Sequence, residues 1–277
     1  MSKFDTMYLD ACEQILTHGV KTQARNGITY RIPGTHWIFD LGEEFPILTC
    51  KKVAWKTAIL EMLWIYQVNS IDVSWLRERG IKIWDKFEIG LDGIYRNPDT
   101  GEEKYFIANG GEVGSENQMK ASIDKIVNFP ADRRNIMTMW QPPFFKNAVL
   151  PPCVYKVQWL VLDGKLHSFV EQRSCDTFIG VPFNITQYAA LTYMVAHACN
   201  LKPGTMHYNM ADVHIYEEHV EVVKQMLKRR DEILPAPKLW LNPEVKDFFK
   251  FDNSKELKDV KLEGYQHLGA LSGVVKA

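Results

Sequence analysis

The stretch that decides the fold runs from Leu150 to Asn184 and reads LPPCVYKVQWLVLDGKLHSFVEQRSCDTFIGVPFN. Two runs of strand-forming residues flank Asp163-Gly164, which is a strong signal for a two-residue hairpin because the tight turn needs positive φ at both central positions. Counting outward from this turn places Cys153 opposite Ser174 and next to Arg173. In a regular ladder Arg173 points to the other face, so we expect a bulge if it shares the face of Cys153.

The open end of this hairpin is a candidate catalytic site. A guanidinium beside the Cys153 thiol stabilises the thiolate, which is the nucleophilic form of cysteine. The commoner role of a cysteine is that of a small buried hydrophobic residue. The diproline before Cys153 and the facing Arg173-Ser174 pair favour the catalytic interpretation.

The composition predicts a globular protein with a large core. The 277 residues are 46% hydrophobic and include 8 Trp, 11 Tyr and 14 Phe, which suits one large domain or two small ones. The net charge of -1 gives no reason to expect binding to nucleic acid or to a membrane surface. No apolar run is long enough to span a bilayer, and the first residues lack the apolar stretch of a signal peptide.

The cysteine pattern argues against a disulfide framework and against a metal site. The 5 cysteines are scattered, odd in number and without a C-x-x-C motif. We therefore expect no bound metal and a cytoplasmic protein, in the host cytoplasm if the chain is viral.

Periodicity and turn signals predict the remaining elements. Helical spacing occurs near the start of the chain and at 55–67, 119–127, 188–198 and 217–229, and extended runs occur at 28–30, 37–39, 45–50, 136–140 and 239–241. The segment 206–214 has a mixed pattern. The residues around 88–118 are polar and Gly-rich, so they predict a variable loop. Because helices and strands do not alternate as regular βαβ units, we expect an α+β fold.

Short motifs along the chain occur in the order and spacing of thymidylate synthases. They are Glu61-Met62-Leu63-Trp64, Ile83-Trp84-Asp85, Asp132-Arg133-Arg134, Pro151-Pro152-Cys153, Gln172-Arg173-Ser174-Cys175-Asp176, Pro182-Phe183-Asn184 and Asp212-Val213-His214-Ile215-Tyr216. The chain resembles this family from its first helix to its tail, except between about Phe87 and Met119. The resemblance implies one α+β domain over residues 1–277, with a large mixed β-sheet flanked by helices. It also implies a homodimer whose sheets pack back to back.

The resemblance implies a reaction at C5 of the uracil ring of dUMP. C5 is a poor nucleophile, but addition of a thiolate to C6 turns it into an enolate-like carbon that attacks a one-carbon donor. Cys153 resembles that thiolate. In the family the donor is 5,10-methylenetetrahydrofolate, a co-substrate, and no metal takes part.

The resemblance also assigns the groups that hold the phosphate. A phosphate needs convergent cations and hydrogen-bond donors. Arg25, Arg173 and Ser174 match the family's phosphate-binding residues, and Arg133 and Arg134 match the pair that reaches in from the partner subunit. An adjacent arginine pair is ordinarily a solvated turn end, and only the family match favours the binding role.

Asn184 carries the prediction of a uracil nucleotide. Uracil offers an N3–H donor and an O4 acceptor, and a side-chain amide satisfies both, whereas a carboxylate favours the donor-rich edge of cytosine. By resemblance, His214 and Tyr216 contact the sugar hydroxyl and leave no room for a 2′-hydroxyl. Asp176 matches a residue assigned to both the nucleotide and the folate.

Glu61 interrupts an apolar helix, which is costly for a carboxylate unless it is hydrogen-bonded or functional. By resemblance it organises proton transfer at the pyrimidine, together with Cys153 and Arg173 as the catalytic set. The simpler alternative is a glutamate on the single wet face of that helix. The family's folate contacts match Lys51, Ile83, Trp84, Asp176, Phe183 and the tail residue Val275.

Two departures from the family pattern concern the late steps. The family has G-x-x-Y-G before the arginine pair, with a Tyr that helps to remove the C5 proton, and the nearest segment here, 114–118, has no Tyr. Either Tyr95 or Tyr105 takes this role or the role has changed. The chain also ends in Lys276-Ala277 instead of two apolar residues, so closure over the folate differs.

Three functions follow from the resemblance. The favoured one is the reductive methylation of dUMP to dTMP. The second is a dUMP hydroxymethylase, in which water attacks the exocyclic methylene and gives 5-hydroxymethyl-dUMP, as in virus-encoded relatives; the two outcomes depend on how well the site excludes water. The third is an inactive nucleotide-binding dimer, which has no need of Cys153.

Overall fold

The computed structural model of the chain describes residues 2–70, 72–85, 94–96, 101, 103–105, 117–140, 142 and 150–273. The α-helices in this part are α1 (Lys3–His18), α2 (Trp55–Leu63), α3 (Ser74–Glu78), α4 (Gln118–Asn128), α5 (Gly180–Ala198) and α6 (Val220–Leu227). A π-helical turn (Trp64–Val68) continues α2, so the helix expected over 55–67 is present with a widened last turn. None of the helices in these ranges has the length and apolar character needed to cross a bilayer.

The strands form one large sheet and two small ribbons. They are β1 (Val20–Ala24), β2 (Gly27–Ile32), β3 (Thr35–Asp40), β4 (Ile94–Arg96), β5 (Glu103–Tyr105), β6 (Ile136–Thr138), β7 (Val154–Leu162), β8 (Lys165–Asp176), β9 (Lys202–Tyr216), β10 (Lys238–Leu241) and β11 (Val260–Glu263). The large sheet has the order β1-β2-β9-β8-β7-β6, and β3 shares the β2 edge of β9. The ribbons are β4-β5 and β10-β11.

The large sheet is mixed, which confirms the expected fold class. β8 and β9 run parallel, and the other pairs are antiparallel. A parallel pair needs a long crossover connection, and α5 supplies it. α5 packs against α2 and against both strands that it connects. The N-terminus of α5 therefore lies at the ends of β8 and β9, where the quoted motifs meet.

The predicted turn at Asp163-Gly164 is confirmed. Leu162 pairs with Lys165, and the two central residues have φ values of 50° and 66°. This conformation suits the right-handed twist of the flanking strands. A Cβ built at Gly164 meets no atom within 4 Å, so only the backbone conformation restricts the residue at this position.

The predicted pairing at the open end of the hairpin is wrong by one residue. The ladder is regular from Leu162 to Lys156, and then Val154 pairs with Gln172, which leaves Tyr155 as an extra residue on β7. The backbone N–H of Arg173 donates to the carbonyl of Cys153 at 2.9 Å. Arg173, and not Ser174, therefore lies opposite Cys153. The bulge that the sequence argument required is present.

The helix-covered face of the sheet forms the core. Strand residues on this face are fully buried, among them Val170, Met206 and Tyr208. Most residues of α5 are themselves buried, as expected for a helix that packs on all sides. One hydrophobic cluster extends from Phe4 on α1 to Val260 on β11.

One other prediction of local structure is wrong, and one segment without a prediction is a strand. Residues 45–50, expected as a strand, are irregular because the buried carboxylate of Asp5 accepts the backbone N–H groups of Thr49 and Cys50, which a ladder would otherwise use. Residues 206–214, whose pattern was mixed, lie inside the 15-residue strand β9. Its outer positions are half-buried and polar, which obscures the alternation.

The hairpin turn yields a stability prediction. Gly164→Val places a β-branched residue at positive φ, and we expect a loss of about 1–2 kcal/mol in the free energy of unfolding. Asp163→Asn is the matched control, because Asn tolerates the left-handed region, and we expect it to be neutral within about 0.5 kcal/mol. Urea unfolding of both variants measures the difference. Equal stability of the two would contradict the turn assignment.

Candidate active site

One cleft gathers most of the predicted site residues. It has a volume of about 480 Å³ and lies between the start of β2, helix α2, the open end of the β7–β8 hairpin and the start of α5. The predicted residues that line it are Arg25, Glu61, Ile83, Trp84, Cys153, Arg173, Ser174, Asp176, Phe183, Asn184, His214 and Tyr216. The sheet register explains part of this gathering, because Ser174 pairs with Asp212 and Asp176 with His214.

Cys153 lies at the floor of the cleft, where the bulge brings it opposite Arg173. The Arg173 Nε donates to the carbonyl of Pro152 at 3.0 Å and its Nη2 to the carbonyl of Pro151 at 2.6 Å. The two proline carbonyls thus hold the guanidinium at the open end of the hairpin. Burial raises the pKa of the Cys153 thiol, Arg173 lowers it and Asp176 raises it. The net shift is upward, opposite to the expectation, so the cleft itself favours the neutral thiol.

Glu61 is buried, and both of its carboxylate oxygens accept hydrogen bonds. The indole Nε1 of Trp84 donates to Oε1 at 2.7 Å, and the amide Nε2 of Gln187 donates to Oε2. Burial raises the pKa of Glu61 to about 7, against the opposing effect of these two bonds. The wet-face alternative for Glu61 is therefore wrong, since only 6% of the residue is exposed. A carboxyl with this pKa exchanges a proton readily near neutral pH.

Asn184 lies in the first turns of α5, and two glutamines hold its amide. Its Nδ2 donates to the Oε1 of Gln187 at 3.0 Å, and its Oδ1 accepts from the Nε2 of Gln172 at 3.3 Å. The Oε1 of Gln172 accepts in turn from the Tyr208 hydroxyl at 2.6 Å. These bonds fix which end of the Asn184 amide is the oxygen. Sequence reasoning missed both glutamines, although Gln172 belongs to a quoted motif.

A third missed residue, Arg31, lines the cleft near the end of β9. Its Nη2 donates to Asp212 Oδ2 at 2.5 Å, and Asp212 Oδ1 lies 3.4 Å from the Nδ1 of His214. Burial raises the pKa of Asp212, but His214 and then Arg31 outweigh it and leave the pKa below its ordinary value. Side-chain alternation along β9 puts Asp212, His214 and Tyr216 on one face. This alternation was the sequence signal for Asp212, the partner of Arg31. His214 and Tyr216 meet edge to face, with 5.2 Å between ring centroids.

The residues predicted to contact the folate separate into two groups. Ile83, Trp84 and Phe183 line the cleft. The Lys51 ammonium does not, because it is buried against the Phe178 ring and donates to the Phe178 carbonyl. Burial lowers the pKa of Lys51 to about 8. Val275 and the side chains of Tyr95 and Tyr105 lie outside the described part of the chain.

Arg133 and Arg134 lie on the surface, away from the cleft of their own chain. Both are exposed, and the side chain of Arg134 is 89% accessible. Its Nε donates to Asp132 at 3.0 Å. Within the described ranges, no group of three or more His, Cys, Asp or Glu side chains has an arrangement that suits a metal ion.

A thiol opposite a guanidinium, within one cleft that also holds a buried carboxyl and an oriented amide, is typical of an active site for nucleophilic catalysis. Comparison with known proteins identifies the family. The thymidylate synthase family model matches residues 6–277, and the chain belongs to the thymidylate synthase family of methyltransferases. This confirms the resemblance carried by the motifs.

Individual relatives agree with this assignment over nearly the whole chain. A thymidylate synthase of Clostridium beijerinckii is 39% identical over 270 residues, which cover 96% of both chains. Thymidylate synthase 1 of Bacillus subtilis strain 168 is 36% identical over 280 residues, again 96% of both. The solved structure of thermostable thymidylate synthase A from Bacillus subtilis matches with a TM-score of 0.85 and 34% identity over 99% of each chain.

The raised pKa of Glu61 yields a pH prediction. The folded pKa of about 7 lies above that of an unfolded glutamate, about 4.3, so the folded state is destabilised as the pH rises between these values. Glu61→Gln removes this titration. We expect the stability of the variant relative to the unmodified chain to improve by about 2 kcal/mol between pH 5 and pH 8, as measured by urea unfolding. A difference that does not change with pH would contradict the raised pKa.

Proposed function

We propose that the chain catalyses the reductive methylation of dUMP to dTMP, with 5,10-methylenetetrahydrofolate as the co-substrate. The observation that carries this proposal is the placement of Cys153, Arg173, Asn184 and Glu61 in one cleft of about 480 Å³. Family membership supports the reaction type. The oriented Asn184 amide supports a uracil base.

The nucleotide binds through three sets of groups in this proposal. Arg25, Arg173 and Ser174 hold the phosphate at the open end of the β7–β8 hairpin. The sugar hydroxyl contacts the His214–Tyr216 pair, whose histidine is oriented by Asp212. The Oδ1 of Asn184 accepts from N3–H of the ring, and its second Nδ2 hydrogen is donated to O4.

The chain's own residues then carry out the proton and electron movements. The Cys153 thiol gives its proton to water, its sulfur forms a bond to C6, and the electron pair of the C5–C6 double bond moves toward C5 and O4. The Asn184 N–H stabilises the negative charge that develops at O4. Glu61 exchanges a proton at the pyrimidine, directly or through water. When the product forms, the sulfur leaves C6 and recovers its proton.

The folate supplies a methylene group and the hydride that reduces it. Trp84, Ile83 and Phe183 form an apolar wall on which its flat ring can pack, so these residues fit the co-substrate. The bond from Trp84 to Glu61 fixes the indole in place. Asp176 accepts the backbone N–H groups of Phe178 and Ile179 through Oδ1, which orients its other oxygen for a ligand in the cleft.

We also propose that the chain, as a single domain, forms a homodimer through the outer face of its sheet. One row of directly paired side chains crosses five strands there: Ile38, His207, Phe169, Gln158 and Ile136. Ile38 is 52% exposed and Ile136 45% exposed. Exposed apolar side chains at both ends of a row across a broad sheet face suit a self-complementary interface related by twofold symmetry. A cytoplasmic location suits the five free cysteines.

In the proposed dimer, Arg133 and Arg134 complete the phosphate site of the partner. Both lie in the connection between α4, which ends at Asn128, and β6, the edge strand whose Ile136 belongs to this row. They are exposed and lie outside the cleft of their own chain. Such placement fits residues that act across an interface.

Product analysis tests the proposed reaction. Protein is mixed with dUMP and 5,10-methylenetetrahydrofolate, and the nucleotide and folate products are identified by mass spectrometry. We expect dTMP with dihydrofolate. Formation of 5-hydroxymethyl-dUMP with tetrahydrofolate, or dUMP binding without turnover, would contradict the proposal.

Substitution of the nucleophile tests the role of Cys153. Cys153→Ser should reduce turnover by at least about 10⁴-fold and leave dUMP binding within a few-fold of the unmodified chain, because the hydroxyl is a far weaker nucleophile. Cys199→Ser is the matched control, since Cys199 is half-buried and lies outside the cleft. Retained turnover in the Cys153 variant would exclude it as the nucleophile.

Mixing two inactive variants tests the shared site. One is Cys153→Ser, and the other carries Arg133→Ala and Arg134→Ala. In a hybrid dimer one cleft has both defects and the other has neither, so an equimolar mixture that exchanges subunits should recover about a quarter of the original activity. A mixture no more active than its components, with hybrid dimers verified by mass, would contradict the cross-subunit role.

A further inference from the structure

Gln187 connects Glu61 and Asn184, two groups that the proposed chemistry uses at the pyrimidine ring. It lies three residues after Asn184 on α5, so the two side chains share one face of the helix. Its Nε2 donates to Glu61 and its Oε1 accepts from Asn184 at 3.0 Å. Only 4% of Gln187 is exposed. A single buried amide thus bonds to both the carboxyl and the base-reading amide.

Hydrogen bonds link Tyr208, Gln172, Asn184, Gln187 and Glu61 in that order, and each donor points toward Glu61. At one end, Tyr208 donates to Gln172, and the Nε2 of Gln172 donates to the carbonyl of Ser174 at 2.9 Å and to Asn184. At the other end, Trp84 donates to Glu61, and an indole N–H is a donor only. Each amide along the path therefore has one orientation that satisfies its neighbours while Glu61 is ionised.

The orientation of Asn184 decides which pyrimidine it can read. Its bonds to Gln172 and Gln187 leave one carbonyl lone pair and one N–H, and these match the N3–H and O4 of uracil. Cytosine presents an acceptor at N3 and a donor at C4, so an Asn184 amide turned by 180° would match cytosine instead. The discrimination between uracil and cytosine thus depends on what prevents this turn.

We propose that Gln187 is a positioning residue that locks the Asn184 amide in its uracil-reading orientation and couples this lock to the ionised state of Glu61. The proposal rests on the proposed function, because it takes the ligand of Asn184 to be a pyrimidine nucleotide. A proton on the Glu61 oxygen that faces Gln187 opposes the Gln187 N–H. Gln187 then turns, presents its Nε2 to Asn184, and removes the acceptor that held the Asn184 Nδ2.

The neighbours of Glu61 do not titrate near neutral pH, so the charge on Glu61 itself controls the orientation of Gln187 in this proposal. The groups that bond to it, Trp84 and Gln187, do not titrate in the neutral range. The titratable neighbour on α5 is Tyr188, and burial followed by Tyr66 and Glu61 raises its pKa well above the ordinary value. With a pKa of about 7, Glu61 changes charge where an enzyme is easily assayed.

Binding of nucleotide alone tests this proposal without any turnover. Calorimetry gives the Kd of dUMP and of dCMP for the unmodified chain, Gln187→Leu and Gln187→Glu. The selectivity ratio is the Kd of dCMP divided by the Kd of dUMP. We expect Gln187→Leu to lower this ratio by about tenfold, which corresponds to about 1.4 kcal/mol. At about pH 8, Gln187→Glu should keep the ratio within about threefold, because two adjacent carboxyls share a proton, so that Glu at position 187 still accepts from Asn184 and donates its proton to Glu61. In the unmodified chain the ratio should fall between about pH 8 and about pH 6, as Glu61 takes up a proton.

Gln67→Leu is the matched control for the loss of a buried amide. The Nε2 of Gln67 donates to the carbonyls of Phe248 and Phe251, each at 3.0 Å, and Gln67 lies outside the cleft. The Gln67→Leu variant should have a lower free energy of unfolding and an unchanged ratio of the dCMP and dUMP Kd values. A folded Gln187→Leu variant with the original ratio would overturn the proposal and leave the proposed function intact. If that variant does not fold, loss of the ratio in Gln187→Glu would overturn it; absence of any dUMP preference in the unmodified chain would reject the proposed function as well.

Discussion

The bulge at Tyr155 is the constraint on which the cleft depends. The Asp163-Gly164 turn sets the register of one end of the β7–β8 hairpin, and parallel pairing with β9 places Ser174 and Asp176 beside Asp212 and His214. A regular ladder would then put Ser174 opposite Cys153. The single extra residue on β7 moves Cys153 by one position and brings it opposite Arg173. Cys153 and Arg173 therefore lie opposite each other without any disturbance of the pairing between β8 and β9.

Burial changes the protonation of two groups in the cleft. It raises the pKa of both Cys153 and Glu61, so both groups favour their neutral forms more than they would in water. Under the proposed function, the neutral thiol and the carboxyl with a pKa of about 7 are the groups that exchange protons with the substrate. Arg173 opposes the effect of burial at the thiol only in part. In the proposed reaction the negative charge is stabilised at the pyrimidine oxygen, to which the oriented Asn184 amide would donate.

Much of this arrangement was predictable from local sequence, and the rest depends on long-range packing. The Asp163-Gly164 turn was predictable because few residue pairs accept positive φ twice. The need for a bulge followed from side-chain alternation, but its position at Tyr155 did not, since no property of that residue marks it. The strand expected at 45–50 failed because Asp5, some 44 positions away, takes the N–H groups of Thr49 and Cys50. Gln187 escaped notice because its partner Glu61 is 126 positions away and meets it only when α5 packs on α2.

The central claim is that the Cys153 sulfur adds to C6 of a uracil nucleotide held in this cleft. A fluorine at C5 cannot leave as a proton does, so 5-fluoro-dUMP should trap the covalent adduct in the presence of 5,10-methylenetetrahydrofolate. Mass spectrometry of the intact protein and of its peptides measures this directly. The account predicts one added nucleotide and one folate per trapped site, both on the peptide that contains Cys153. An unmodified Cys153, or an adduct on another cysteine, would contradict it.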